Sequence, residues 1–352
     1  MWLVVFAGTA LHAQAGPTQA SPTIASSTQA DATQASATIA SPAMASPAAG
    51  NAGATYVGSQ ACESCHKQIY DSWRQTRMAN VVRDPKLHPE AVLGDFKHPD
   101  PNVNFTLDDV AFVYGSKWKQ RYFKRQGDDY YALPAQWDVK NRKWLPFHVP
   151  DDADWWTAYY PKDNSGRPTG TLCDGCHSVN YNIATKQVTE WNVGCERCHG
   201  PGSLHVATPT TKNIINPRAL DRVRSNDVCI QCHSQGRTLR TTIDGKYYDW
   251  PVGYAPGARL VDYWRLEDIH LGKTDFYYFA DGTAHKNRMQ GNDFVSSQMY
   301  HADVRCMDCH NVHSSRYGSN LITTGNELCL SCHTPDSPAG PHMTVAQHTH
   351  HK

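Results

Sequence analysis

The stretch Cys306-Met307-Asp308-Cys309-His310, with His313 three residues on and Cys329-Leu330-Ser331-Cys332-His333 beyond it, decides how this chain can fold. Two thiols three residues apart can each add across a haem vinyl group, and the residue that follows then points its imidazole at the iron. The pattern recurs along the chain. Cys62 and Cys65 precede His66, Cys173 and Cys176 precede His177, Cys195 and Cys198 precede His199, and Cys229 and Cys232 precede His233. With Cys306 and Cys309 before His310, and Cys329 and Cys332 before His333, all 12 cysteines are used. Disulfides and zinc ribbons also use CxxC pairs, but neither needs a histidine directly after each pair. With 19 histidines in 352 residues, one coincidence has odds of roughly one in twenty, and six together roughly one in ten million or less. The cofactor expected is haem c, six copies covalently attached, with the six motif histidines on the irons.

Such a cofactor load changes what the composition means. A chain of 352 residues ordinarily suggests two domains or one large one. A mean hydropathy of −0.58, 21 prolines and 24 glycines describe a loop-rich chain whose missing apolar surface the macrocycles supply. The expected fold is mainly α, with extensive loops wrapped around a haem core and a small β insertion between the first and second motifs. Folding should then be coupled to haem attachment, as it is to metal binding in small metallodomains.

The organisation expected from the N-terminus is a signal peptide over 1–15, apolar in WLVVFAGTAL and ending in Ala13-Gln14-Ala15, although the usual positive start is missing. Residues 16–55, built from Ala, Ser, Thr, Pro and Gln, read as a disordered linker. The cytochrome domain is expected over 56–338 and a His-rich tail over 339–352. All 33 basic residues lie from Lys67 onward against 31 of the 33 acids, so the body is nearly neutral before haem propionates make it acidic. Nothing supports nucleic-acid binding. No later segment is apolar enough to span a membrane, and the expected location is periplasmic, extracellular or cell-surface.

The gaps between motifs carry aromatic residues. FVYGSKWKQRYFKRQGDDYYALPAQW (112–137) and KWLPF (143–147) alternate aromatic and polar residues around Gly127-Asp128, which reads as a β-rich insertion near 100–150. A second gap, from Ser234 to Arg305, is rich in turns and aromatics. Two close motif pairs, His177 before Cys195 and His310 before Cys329, suggest duplication of a two-haem unit, with Asn180 opposite His313.

YVGSQACESCHKQIYDSWRQTRMAN (56–80), GCERCHGPGSLH (194–205) and SSQMYHADVRCMDCHNVHSS (296–315), followed by NELCLSCH (326–333), resemble the multihaem cytochrome c superfamily with doubled CXXCH motifs, of the cytochrome c-554 type. The resemblance touches most of the chain from Tyr56 to His333. It implies haem carriage; the superfamily's members include electron carriers, reductases with an exposed iron, and filament subunits. Relatives commonly carry a histidine ligand where this chain has Met78, which leaves room for one haem to be open or differently ligated.

Distal ligands follow partly from chain geometry. If the segment after Cys306 is helical, His313 lies on the same face as His310 and cannot reach around the macrocycle to the same iron. It must serve a neighbouring haem. Six residues separate His205 from His199 and span at most roughly 20 Å, which again points to a neighbour. His301, just before the fifth motif, is a third candidate. The function expected is electron transfer along closely packed haems, more a carrier than a substrate-converting enzyme. The alternatives are a reductase or oxidase of a small nitrogen or sulfur compound at one open iron, and a subunit of a filament or homo-oligomer. All six motifs end in histidine, so the lysine-ligated motif of ammonia-forming nitrite reductases is absent. The expected partners are other cytochromes or a membrane quinol-oxidising complex.

Overall fold

The largest element of the computed structural model is a sheet, not a helix bundle. The structure describes residues 53–147, 166–239, 243, 245–314 and 316–334. The expected signal peptide, most of the expected linker and the His-rich tail lie outside them.

Five antiparallel strands run in sequence order: β1 (Val82–Arg83), β2 (Phe112–Tyr114), β3 (Lys119–Gln126), β4 (Asp129–Asp138) and β5 (Lys143–Pro146). β3 and β4 form a hairpin closed by Gln126 opposite Asp129, and Gly127 in the turn takes φ 63°, the left-handed region that glycine enters at least cost. Successive residues point to opposite faces, and here both faces are covered. Val113, Tyr122, Leu133, Trp137 and Trp144 pack on one face under Phe96 and Phe105. Phe96 stands edge-on to Tyr122 at 5.4 Å and to Trp144 at 5.1 Å, the arrangement ring quadrupoles favour. On the other face Val82, Tyr114 and Phe123 pack against Cys173 and Trp191. The sheet therefore forms one wall of the second motif.

The helices are short. They are α1 (Glu63–Trp73), α2 (Thr169–Leu172), α3 (Asp174–His177), α4 (Glu196–His199), α5 (Ser203–Ala207), α6 (Arg222–Ile230), α7 (Gln290–Val295), α8 (Gln298–His301), α9 (Cys306–Cys309) and α10 (Asn326–Leu330). Only α1, with 11 residues, and α6, with nine, exceed two turns. Two ribbons are also present, β6 (Ser178–Val179) with β7 (Glu190–Trp191) and β8 (Gly236–Thr238) with β9 (Trp264–Leu266), along with several short 3-10 turns. The expectation of a mainly α fold is thus corrected. A CXXCH motif needs one helical turn to set two thiols and an imidazole, and little in the loops between motifs prolongs that turn. The alternating aromatic residues after the first motif instead supply the five-stranded sheet.

The second gap folds around two aromatic clusters. Tyr248, Trp250 and Val252 pack against Cys176, while Tyr254, Leu260 and Trp264 pack against Ile230. The Trp250 indole N–H donates to the Gly170 carbonyl at 2.9 Å. Its ring lies so close to Gly175 that an added Cβ would meet Trp250 Cδ2 at 1.9 Å. Only glycine fits there.

Candidate haem sites

Each motif closes on itself in the same way. The backbone N–H of the histidine donates to the carbonyl of the first cysteine in His177, His199, His233, His310 and His333, at 2.8–3.1 Å. This i to i−4 bond is one α-helical turn, and it brings both sulfurs and the imidazole into one reach. The first motif opens α1, where His66 leaves helical geometry at φ −115°, ψ 35°.

Neighbouring motifs meet through their sulfurs. The Cys62 thiol hydrogen-bonds Cys195, which pushes Cys62 far up and holds Cys195 below its ordinary value. Cys176 pairs likewise with Cys232, and Cys229 with Cys306. As thioethers none of these sulfurs titrates, so the pairs matter as proximity. Gln231 Nε2 donates to the Arg197 carbonyl at 3.3 Å, joining the third and fourth motifs. Cys309 lies near Cys332 and Cys329, joining the fifth and sixth motifs. The motifs therefore form a connected string, first to third to fourth to fifth to sixth, with the second branching from the fourth.

Side chains within the motifs lock this string. Glu196 is 2% exposed, and its carboxylate accepts the N–H groups of Val57 at 3.0 Å, Gly58 at 2.8 Å and Gly202 at 2.7 Å. It ties the segment before the first motif to the loop that leads into α5 and His205. Asn226 of α6 accepts the Cys306 N–H at 2.9 Å and fixes the fourth motif to the fifth. Asp174, 2% exposed, accepts from the Tyr114 hydroxyl at 2.9 Å and the Thr169 hydroxyl at 2.8 Å. Burial raises its carboxyl to about 6.

Two imidazole pairs have the geometry of axial ligands on a common metal. His66 and His205 lie with ring centroids 6.3 Å apart and planes 17° from parallel. His199 and His313 lie at 6.1 Å and 14°. Two metal–nitrogen bonds of about 2.0 Å, plus about 1.1 Å from each nitrogen to its ring centre, give a separation of roughly 6.2 Å. Face-to-face stacking would need a much shorter distance. The tautomers agree with ligation. His199 Nδ1 donates to the Ile215 carbonyl at 2.7 Å, His205 Nδ1 to Thr210 at 3.0 Å and His310 Nδ1 to Ser319 at 3.0 Å, leaving each Nε2 with a bare lone pair. Burial holds His199 and His313 below the ordinary histidine value, and His177 down to about 4. All three are then neutral, the form that binds metal. The residues present fit covalently held haem.

The other sequence-derived candidates are placed less tellingly. His301 is exposed at the end of α8, edge-on to Tyr300 at 5.8 Å. Met78 is half-buried, and its carbonyl accepts the Val193 N–H at 3.0 Å. Asn180 adopts φ 57° and donates to Thr189 Oγ1 at 3.2 Å. Sequence reasoning missed Arg288, whose guanidinium reaches Cys176 Sγ at 3.9 Å; it lies far from any motif in the chain and carries no local signal. Among the described residues no helix is long and apolar enough to cross a membrane.

Comparison with known proteins is consistent with this site. The family model described as doubled CXXCH motif matches residues 300–338, and that of cytochrome c554 and c-prime matches residues 61–102. The multiheme cytochrome MtrA of Shewanella baltica (strain OS185) is 28% identical over 142 residues, covering 40% of this chain and 41% of the relative. The dissimilatory sulfite reductase MccA of Wolinella succinogenes is 22% identical, covering 73% of this chain and 41% of the relative. The chain thus spans about 41% of the length of these curated relatives. Among solved structures, the outer cell wall cytochrome OcwA superposes with a TM-score of 0.66 at 24% identity, covering 80% of this chain and 67% of that one.

Proposed function

We propose, for a chain similar to multihaem c-type cytochromes with doubled CXXCH motifs, that it carries six haems and passes electrons along them as an exported carrier. When bound, each haem supplies a one-electron iron couple. The chain's part is to hold, space and electrostatically tune these groups. His205 of α5 closes the iron of the first motif, and His313 closes that of the third. His301 serves a further iron beyond its own motif. The observation that carries this reading is the two pairs of near-parallel imidazoles at 6.3 and 6.1 Å, because a site closed on both sides leaves no position for substrate at those two irons.

The partners are redox proteins, either other cytochromes or a membrane quinol-oxidising complex, met in the periplasm or at the cell surface; a homo-oligomer or filament would extend the same string. Electron paramagnetic resonance of the purified holoprotein tests the proposal. Low-spin iron dominated by the rhombic signal of parallel axial imidazoles is expected. A spectrum made up mainly of high-spin iron would overturn it.

One observation favours a second reading for the second motif alone. Arg288 and Arg197 both place positive charge beside His177, as a site for a small oxyanion would require. Binding of nitrite or sulfite to a high-spin fraction would support that reading.

A further inference from the structure

The second motif is the most enclosed of the six. Cys176 is buried, and every other motif cysteine is half-buried or exposed. Asp174, Gly175, Ser178 and Val179 around it are buried as well, and the Trp250 ring closes on Gly175. A ferric iron carries one positive charge more than a ferrous one, so a site poor in water favours the reduced form.

The histidine of this motif also lacks a support that others have. His199 and His310 donate Nδ1–H to carbonyls at 2.7 and 3.0 Å, and Gln290 hydrogen-bonds His233. Such a bond makes the imidazole a stronger electron donor to the iron and favours the ferric state. His177 Nδ1 is buried with no hydrogen-bond partner, which leaves its imidazole the weaker donor.

Charge acts in the same direction. Arg288 reaches Cys176 Sγ at 3.9 Å and is held by Gln235 Oε1 and the Asp249 carbonyl, both at 3.3 Å. Arg197 hydrogen-bonds Cys232 and lies beside Cys176, and Arg121 lies near Cys173. Two carboxylates, Asp174 and Asp249, oppose these three cations. Asp249 is paired with Arg167 at 3.2 Å, and Asp174 accepts from the Tyr114 and Thr169 hydroxyls, so positive charge prevails. The first and third motifs sit instead beside the carboxylates of Glu190 and Glu196.

We propose that the second motif is the electron reservoir of the string: its haem has the highest reduction potential of the six, and electrons entering along the other five collect there first. The inference rests on the reading of the chain as an electron carrier. Each filling event moves one electron. A ferrous iron at the fourth motif becomes ferric as the ferric iron at the second becomes ferrous, and no bond or proton moves. A branch end suits this role, because an electron held there does not interrupt the run from the first motif to the sixth.

Spectroelectrochemical titration of the holoprotein tests it. The step of highest potential should carry about one-sixth of the haem absorbance change. Arg288→Gln removes a cation beside Cys176 and should lower the equilibrium constant for reducing that step at least tenfold, a shift of about 59 mV for one electron. Arg288→Lys keeps the charge and should hold the step within about threefold of the parent; a merely structural role would move both variants alike. Arg265→Gln, whose guanidinium pairs with Asp268 at the surface, should leave every step in place. If Arg288→Gln does not assemble with its haems, Arg121→Gln removes another cation of the same cluster and should lower the same step at least threefold. A highest step that does not move in the glutamine variant, a lower step that moves in its place, or an Arg288→Lys protein shifted as far as Arg288→Gln overturns the proposal. Such a failure in a protein whose iron is low-spin would leave electron transfer standing, whereas mainly high-spin iron would remove the carrier reading itself.

Discussion

Glu196→Gln is the substitution from which most can be learned, because one side chain joins three parts of the structure. The native carboxylate is acceptor-only, and both oxygens face backbone donors: Oε2 meets Gly58 at 2.8 Å, Oε1 meets Gly202 at 2.7 Å, and Val57 reaches both at 3.0 and 3.1 Å. Glutamine has nearly the same shape but replaces one oxygen with a donor. Gly58 or Gly202 then faces an N–H group, and one bond to a charged acceptor, contributing about 1.5–3 kcal/mol, is lost. The donor left buried adds about 1–3 kcal/mol more. A total of about 2.5–6 kcal/mol is a large share of the ~5–15 kcal/mol that holds a typical domain together. Denaturant titration of the holoprotein by far-ultraviolet circular dichroism should show it as a lower midpoint. The same change loosens the Gly202 loop that leads to His205, so a high-spin signal from the first motif should accompany the lost stability. A Glu196→Gln protein within 1 kcal/mol of the parent, with unchanged spectra, would refute the reasoning.

Three further outcomes are expected. Gly175→Ala forces a methyl into the Trp250 ring; overpacking of this kind costs about 1–3 kcal/mol, and intact mass should show incomplete haem loading at the second motif. His313→Ala should convert about one-sixth of the iron from low to high spin in electron paramagnetic resonance, with His199 still holding the affected haem; no change would remove His313 from the ligand set. Asp174 and Asp227 are each raised to about 6 by burial, above the ordinary carboxyl value of about 3.9. The folded state therefore binds more protons than the unfolded one between pH 4 and 6. Stability falls as pH rises through that window, by roughly 3 kcal/mol per group. Asp174→Asn, which keeps an acceptor for Tyr114 and Thr169, should remove about half of that slope in denaturation midpoints measured across the window.

The kind of cofactor, haem c, was legible in the sequence, because covalent attachment fixes residue identity at fixed spacing. Cross-ligation was partly legible. The three-residue offset of His313 and the six-residue offset of His205 argue against their own irons, while their proximity to His199 and His66 is visible only in the fold. The fold class was misread. A sequence with six helical turns suggests helices, yet each turn ends with its motif, and tertiary pairing of Phe112, Phe123 and Tyr122 makes the sheet the largest element. Motif adjacency was legible only for the closely spaced fifth and sixth motifs. Contacts such as Cys229 with Cys306 span the whole second gap, and no local pattern encodes them.

The central claim is that histidines from one segment close the irons of another. A cryo-electron-microscopy structure of the holoprotein, at a resolution that shows the imidazole rings, tests it most directly. The account predicts one iron held between His66 and His205 and another between His199 and His313, each about 2.0 Å from both Nε2 atoms. An iron at His66 or His199 whose opposite face carries water, or a ligand other than these histidines, would contradict it.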